Sequence, residues 1–596
     1  MKNYSCKQQN IINLLTKKPT KQTNLVQFLM PIFKPRSLQW ISRLAPFAGA
    51  ISLGLIVACG GSGGGSTQPE PPEIKDPPIV IEPPKNELPE VSADVVDPSE
   101  VNAGGEVTVA RSDEDAFGQS APKVSSDFNL DANFKAGNML FRNTHAGQGP
   151  ILNTATCQGC HVKDGRGHIP MDSSEPMDAM LIKISAVDGQ DEPTYGGQIQ
   201  TFGIASFEGN DPTAGLPRYN GAINTGEALG EAYVYIEFTE INGQYPDGEN
   251  YVLRQPTYRI KDLSYGDISP GSLLSPRVAP ALFGLGLLGA IAETDIRALA
   301  DPNDANNDGI SGRVNQQQTI LSDEVKLGRF GSKAFTTSVL HQTVMAYRGD
   351  MGITSSIVPD EPCTVLQQAC IDKAADEPNG GNEGSDITHV ELALVEFYSR
   401  TLAVPKRRGY DAASETWQAD IWLGRQKFFN IGCTGCHVPR HQTGEAAGSV
   451  LGEIQLNQLT PDAAPIEALS SQVIWPYTDL LLHDMGGSCQ PLTRELVTGE
   501  SCSGGEMCEY VLRCDGLADG RPEGLASGSE WRTAPLWGLG LVKTVNPRAT
   551  YLHDGRARTI EEAILWHGGE AQTSLEQFKL LNKNERAAVI AFLESM

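Results

Sequence analysis

Positive charge is scarce in this chain: 47 Lys and Arg stand against 73 Asp and Glu, a net charge of −26 over 596 residues. Such acidity argues against nucleic acid as a partner and fits an extracytoplasmic surface able to steer a basic redox partner, although simple solubility explains it equally well. Long apolar runs are also missing. Ala45 to Ala58 is too short for a comfortable membrane span, and no other stretch is apolar enough to cross a bilayer. What the chain does have is length, enough for two or three domains and a large core.

Residues 30–59 read as an export signal. Lys34, Arg36 and Arg43 give the positive flank, and the ending Leu55-Ile56-Val57-Ala58-Cys59-Gly60 resembles a bacterial lipobox, whose Cys is lipidated and becomes the mature N-terminus. Cleavage without lipid is the alternative, but the Gly/Ser run after Cys59 favours the lipoprotein. Met30 is then the start, and the expected location is the bacterial periplasm or cell surface, with a lipid anchor at Cys59 in the outer membrane. From Gly60 to about Pro98 the composition is Gly/Ser, then Pro and Glu, which cannot bury a core. Residues 1–59 are thus read as the export segment and 60–126 as a linker. Folded structure is expected from near Asp127, with Asn129 or Asp131 as a helix cap.

Four of the 12 cysteines stand in two pentapeptides, Cys157-Gln158-Gly159-Cys160-His161 and Cys433-Thr434-Gly435-Cys436-His437. In a C-x-x-C-H run two thiols can add to the vinyl groups of a haem while the adjoining imidazole binds the iron. A zinc half-site wants a second ligand pair nearby, and a thioredoxin-type pair wants a βαβ context; neither is present. Two covalent haem c groups are therefore expected, on Cys157, Cys160 and His161 and on Cys433, Cys436 and His437. The flanks match as well: Phe134-x-x-Gly137-x-x-x-Phe141 precedes the first run and Ile421-x-x-Gly424-x-x-x-Phe428 the second, an internal repeat of a helix-then-haem unit. Of the other cysteines, Cys363 and Cys370 make a local disulfide. Cys489, Cys502, Cys508 and Cys514 allow three connectivities, with a redox-active dithiol as the rival reading.

Between the two runs, Tyr233 to Phe238 alternates, Pro246-Asp247-Gly248 turns, and Tyr251 to Ile260 alternates again, a β insertion. Val278 to Gly289 is apolar and dotted with glycine, suited to close packing against haem or helix. In Asp304-Ala305-Asn306-Asn307-Asp308-Gly309-Ile310, oxygen side chains at positions 1, 3 and 5 and Gly at 6 match the first half of a calcium loop. Asp304, Asn306, Asp308 and the Ile310 carbonyl are the expected Ca²⁺ ligands, but position 12 is Asn315, and a solvated Asx-turn loop is the alternative. His341, in a helix ending toward Asp350, is a further imidazole within reach of an iron or of the core. The boundary falls near Pro405, which divides an N-terminal haem domain (127–404) from a C-terminal one (405–596). Near the end, Thr559 caps a short helix that delivers His567 at its C-terminus, well placed to meet a haem face.

These stretches resemble the bacterial di-haem cytochrome c peroxidase superfamily, and most of all its di-haem oxidoreductase branch, also labelled thiol oxidoreductase. The matching segments are Cys157–Gly167, Ser275–Gly289, Asp304–Arg313, Gly328–Thr354, Cys433–His437, Tyr477–Gly486 and His553–Ala571. The resemblance implies a mainly α fold of two cytochrome c-like haem domains, the first enlarged by the β insertion. It implies hydrogen peroxide as a small-molecule oxidant and a periplasmic electron-transfer protein as partner. In that superfamily the distal ligand of the C-terminal haem lies fourteen residues after the His of His-Asp-Gly. Counting from His553 reaches His567, with Met485 or His483 in reserve. The haem at His161 would be catalytic and the haem at His437 a relay. No acid/base residue is named by the resemblance; relatives carry Glu where Gly289 stands, and Gln198, Glu237 and Arg277 are guesses.

Overall fold

The computed structural model describes residues 88–144, 149–172, 175, 177, 179–203, 230–376, 385–449, 464–497 and 508–596. The export segment with Cys59, the tether up to residue 87, and Cys502 lie outside them. The helices that position the candidate sites are α1 (Phe128–Arg142), α2 (Cys157–Cys160), α3 (Val339–Met351), α4 (His389–Thr401), α5 (Ala419–Asn430), α6 (Ile560–Leu565) and α7 (Lys583–Ser595).

The repeat seen in the sequence is a repeat of helix crossings. Helix α1 buries Phe134, Gly137 and Phe141 against α4; α5 buries Ile421, Gly424 and Phe428 against α7. A Cβ on Gly137 would run into the Leu394 carbonyl and lie 2.7 Å from Cβ of Tyr398. One on Gly424 would meet the Ala588 carbonyl and lie 2.8 Å from Cβ of Phe592. Glycine is needed at both places because backbone meets backbone. Each receiving helix starts with a capping box, Thr388 with Glu391 and Asn582 with Glu585. The cap of α1 is Asp127, which accepts from the N–H groups of Asn129 and Leu130 at 2.9 and 3.0 Å, in place of the expected Asn129 or Asp131.

The expectation of a mainly α fold made of two cytochrome c-like domains is overturned: the chain is mixed, 31% helix and 22% strand, with many small sheets. The physical reason lies in the long segments without helical period, whose backbone groups must still be paired and find partners across short strands. The strands used below are β1 (Met180–Ser185), β2 (Gln198–Ile199), β3 (Tyr233–Gln244), β4 (Asn250–Lys261), β5 (Leu273–Val278), β6 (Gly487–Cys489), β7 (Thr493–Leu496) and β8 (Cys508–Gly516).

The expected β insertion is the long hairpin β3–β4, in register from Tyr233↔Lys261 to Gln244↔Asn250. Its sheet is completed from far along the chain, because β8 pairs with β4 (Tyr510↔Ile260), and β6 and β7 pair with β8. The hairpin tip reaches α7, where Arg586 donates to Asp247 and Glu249 at 2.9 and 2.7 Å; the Tyr245 hydroxyl donates to Glu561 of α6 at 2.8 Å. Residues on both sides of the expected boundary at Pro405 thus build one sheet, within the compact unit Glu82–Met596. The expected linker is likewise folded over its described part: Val101, Val107, Phe117 and Val124 are core residues. The fully buried Glu100 carboxylate accepts from Arg407, Tyr477 and Arg425.

A second sheet, ordered β2-β1-β5, has two unlike faces. Met180, Ile182, Ile184, Ile199, Leu274 and Val278 pack into a core with Val234, Ile260 and Leu512. The other face carries Gln198, Lys183, Ser275 and Arg277. Disulfides join Cys363 to Cys370, as expected, and Cys489 to Cys514 across β6 and β8, which selects one of the three open connectivities.

Candidate haem sites

Both C-x-x-C-H runs close as single turns, and none of their four cysteines is in a disulfide. The first turn is capped by Thr156, whose hydroxyl accepts from the Gly159 N–H at 3.1 Å. His161 Nδ1 donates to the Pro280 carbonyl at 2.7 Å, and His437 Nδ1 donates to the Tyr477 carbonyl at 3.0 Å. Each bond fixes the tautomer and leaves Nε2 with its lone pair for a metal. The ring of Phe141 stands 6.2 Å from that of His161 at 48°, and the ring of Phe428 stands 6.1 Å from that of His437 at 52°, so the helix phenylalanine of each unit orients its imidazole in the same way. Burial pushes the Cys157 and Cys433 thiols up to about 12 and holds them protonated.

His567 shares this preparation. At the end of α6, whose first turn is capped by Thr559 accepting from the Glu562 N–H at 3.1 Å, its Nδ1 donates to the Ala563 carbonyl at 2.7 Å. Burial pushes the His437 imidazole down to about 4, its bond to Tyr477 opposes this, and His567 lies near enough to push it down further. At His161, burial acts against the Pro280 bond to bring the ring to about 4, and no titratable side chain among the described residues contributes.

A family model described as "Di-haem oxidoreductase, putative peroxidase" matches residues 104–491 and 510–596. The chain belongs to this di-haem oxidoreductase family. No curated protein matches it. Among solved structures, a chain of hydrazine synthase from Kuenenia stuttgartiensis is 15% identical over 39% of this chain and 63% of that one, with a TM-score of 0.19, too low to carry an argument. The family name implies two haems, and the residues of this oxidoreductase fit them: two pairs of cysteines outside any disulfide and two imidazoles with Nδ1 already engaged.

The reserve ligands fare differently. His483 has no lone pair to offer, since Nδ1 meets Glu570 at 2.7 Å and Nε2 meets Asp479 at 2.8 Å. Burial alone would push this imidazolium down, but its bonds to Asp479, Cys436 and Glu570 outweigh burial and hold it up at about 12. Met485 is half-buried, with its carbonyl beside Gly568. His341 is buried in α3, with Nδ1 3.3 Å from the Thr337 hydroxyl.

In the loop expected to bind calcium, Asp304 accepts from the Gly309 N–H at 3.2 Å, Asn306 from Asp308 at 3.0 Å and Asp308 from Ile310 at 2.8 Å. Asn315 is buried, its amide donating to the carbonyls of Lys333 and Glu523. No group of three His, Cys, Asp or Glu side chains able to hold a metal occurs among the described residues. Asx-turn hydrogen bonds shape this loop, which also supports the second site: Ile310 packs against Gly435, and Ser311 donates to Glu570 at 2.8 Å.

Of the guessed acid/base residues, Gln198 is bonded to Asp350 and Arg277 to Glu523 and Ser275. Glu237 is exposed, paired with Arg259 at 2.8 Å. Gly289 is an exposed residue whose carbonyl accepts from Arg329 at 3.2 Å. Sequence reading missed several positioning residues. Asp164, buried after the first run, accepts from Arg142 at 2.5 Å and from the Tyr398 hydroxyl, which ties the motif to α1 and α4. Arg166 donates to the carbonyls of Thr550 and Leu552 and so holds the His553-Asp554-Gly555 segment. The Asp350 carbonyl accepts from the N–H groups of Asn153 and Thr154 at 2.8 and 3.0 Å, just ahead of Cys157.

His553 itself stacks on Trp531, with centroids 3.5 Å apart at 14°, and burial pushes its imidazole down to about 3. Glu523 is held down at about 2: burial opposes ionisation there, but Arg277 and Arg521 prevail. Both groups take up protons more readily in the unfolded chain, so both contribute stability that is lost on acidification. The His553 contribution is complete above pH 6.5 and is lost as pH falls toward 3; the Glu523 contribution is lost between 4.5 and 2. Urea midpoints are expected to fall between pH 7 and 4.5, with His553 supplying roughly 1.4 kcal/mol per pH unit. A His553→Phe variant with an equally steep slope would refute that assignment.

Proposed function

We propose that this di-haem oxidoreductase reduces peroxide at a haem carried by Cys157, Cys160 and His161, and that a haem on Cys433, Cys436, His437 and His567 relays the electrons. The observation that carries this reading is the inequality of the two imidazoles: the charge of His567 acts on His437, whereas no titratable side chain among the described residues acts on His161. When bound, haem iron supplies the one-electron chemistry that peroxide reduction needs. The chain does the rest. Four thiols would tether the groups as covalent haem c, the carbonyls of Pro280 and Tyr477 hold the rings of His161 and His437 with Nε2 open, and His567 would hold the second iron against substrate. Reduction of hydrogen peroxide to water consumes two electrons and two protons. The electrons are expected from a periplasmic carrier drawn to the acidic surface, and the export reading of residues 30–59, with lipid at Cys59, places the enzyme where such a carrier would find it.

The test is an electronic absorption spectrum of the purified holoprotein, oxidised and half-reduced, before and after peroxide. A high-spin component that peroxide converts is expected. Two low-spin haems that ignore peroxide in both states would make the protein an electron carrier instead.

A further inference from the structure

Lys183 is an ammonium among charges it does not touch: Glu523 and Asp350 act on it from beyond hydrogen-bond distance, as do Arg521 and Arg277. It is surrounded by protein, yet part of its surface stays accessible, and it makes no hydrogen bond or ion pair with any described residue. Other buried cations of this region are matched: Arg277 by Glu523 and Ser275, and Lys333 by Asp519 and the carbonyls of Arg521 and Ser527. A partly desolvated cation with no direct ion pair is costly unless an anion meets it.

Its place points to the first site. Lys183 is in register between Gln198 and Ser275 on the polar face of the β2-β1-β5 sheet. Gln198 donates to Asp350 at 2.7 Å, and Asp350 holds the 153–154 backbone and acts through its charge on both Lys183 and Cys157. Two residues beyond the end of β5, the Pro280 carbonyl receives His161.

We propose that Lys183 is the counter-ion of an anion held at the first haem site, a carboxylate or a small anion, with Gln198 and Asp350 fixing the wall in which it sits. The proposal rests on the reading of Cys157–His161 as a haem site. Two sources offer that chemistry: a propionate of the haem, or an exogenous anion entering as substrate does.

The experiment compares the holoprotein with its Lys183→Met and Lys183→Arg variants by azide and fluoride titration of the ferric protein and by potentiometry of each haem. Lys183 has no bond to lose, so both variants are expected to fold and load haem. If the anion is exogenous, Lys183→Met weakens azide and fluoride binding about tenfold or more at an unchanged potential. If it is a propionate, anion affinity holds, while the potential of the first haem falls by about 59 mV or more, a tenfold shift in the ferric to ferrous ratio. Lys183→Arg restores either. An unchanged affinity together with an unchanged potential overturns the proposal. A wild-type first haem that takes no anion would count against the peroxidase reading alone, because the potential still reports on Lys183.

Discussion

Replacing His567 with alanine is expected to convert the second haem from six-coordinate low-spin to a form that binds added imidazole or cyanide, and to leave the first haem's spectrum as it was. The argument begins with the ring. Its Nδ1 proton is committed to the Ala563 carbonyl at 2.7 Å, the same arrangement that prepares His161 and His437, so Nε2 is a free donor before any iron arrives. The ring is carried by a helix whose cap, Thr559, and whose neighbour Tyr245, bonded to Glu561, hold it against the hairpin tip. The competing imidazole, His483, is spent on two carboxylates. A low-spin spectrum unchanged in His567→Ala would shift the ligand to Met485, and His567→Met should then behave as wild type. With His567 in place, a bis-imidazole iron is expected at a lower potential than a His/Met iron.

How much of this was legible beforehand depends on the range of the interaction. The two thiol turns, the repeated glycine-centred pattern around Gly137 and Gly424 and the Thr559 cap are written within a few residues of chain, and the sequence displays them. The β3–β4 hairpin was also readable, since alternation and a Pro-Asp-Gly turn are local. Its completion by β8 was not, because strand partners some 250 residues apart leave no mark in either segment. The same holds for charge. Glu100 and Asp164 look like any surface residue in a chain with 120 charged side chains, and only the folded arrangement shows that they are enclosed. The mainly α expectation failed for a related reason: helices announce themselves by period, whereas two-residue strands such as β2 do not.

Substituting serine for both Cys157 and Cys160 is expected to lower covalently bound haem from two per chain to one, and the Cys433/Cys436 pair should do the same at the other site. The paired design matters because either thiol alone can retain a haem through one thioether. Both turns are independent in what supports them: the first is capped by Thr156 and abuts Asp350, and the second follows Gly432 and packs under Ile310. Neither borrows a thiol from the other. Haem-stained bands after denaturing electrophoresis, calibrated by pyridine haemochrome content, give the number directly. If the first pair is the catalytic site, its loss abolishes the peroxide-sensitive component and leaves a low-spin spectrum reducible as before. Loss of the second pair leaves a peroxide-sensitive haem that turns over slowly for want of its relay. Two covalent haems surviving either double substitution would refute the thioether assignment, and equal peroxide sensitivity in both single-haem proteins would refute the division of labour.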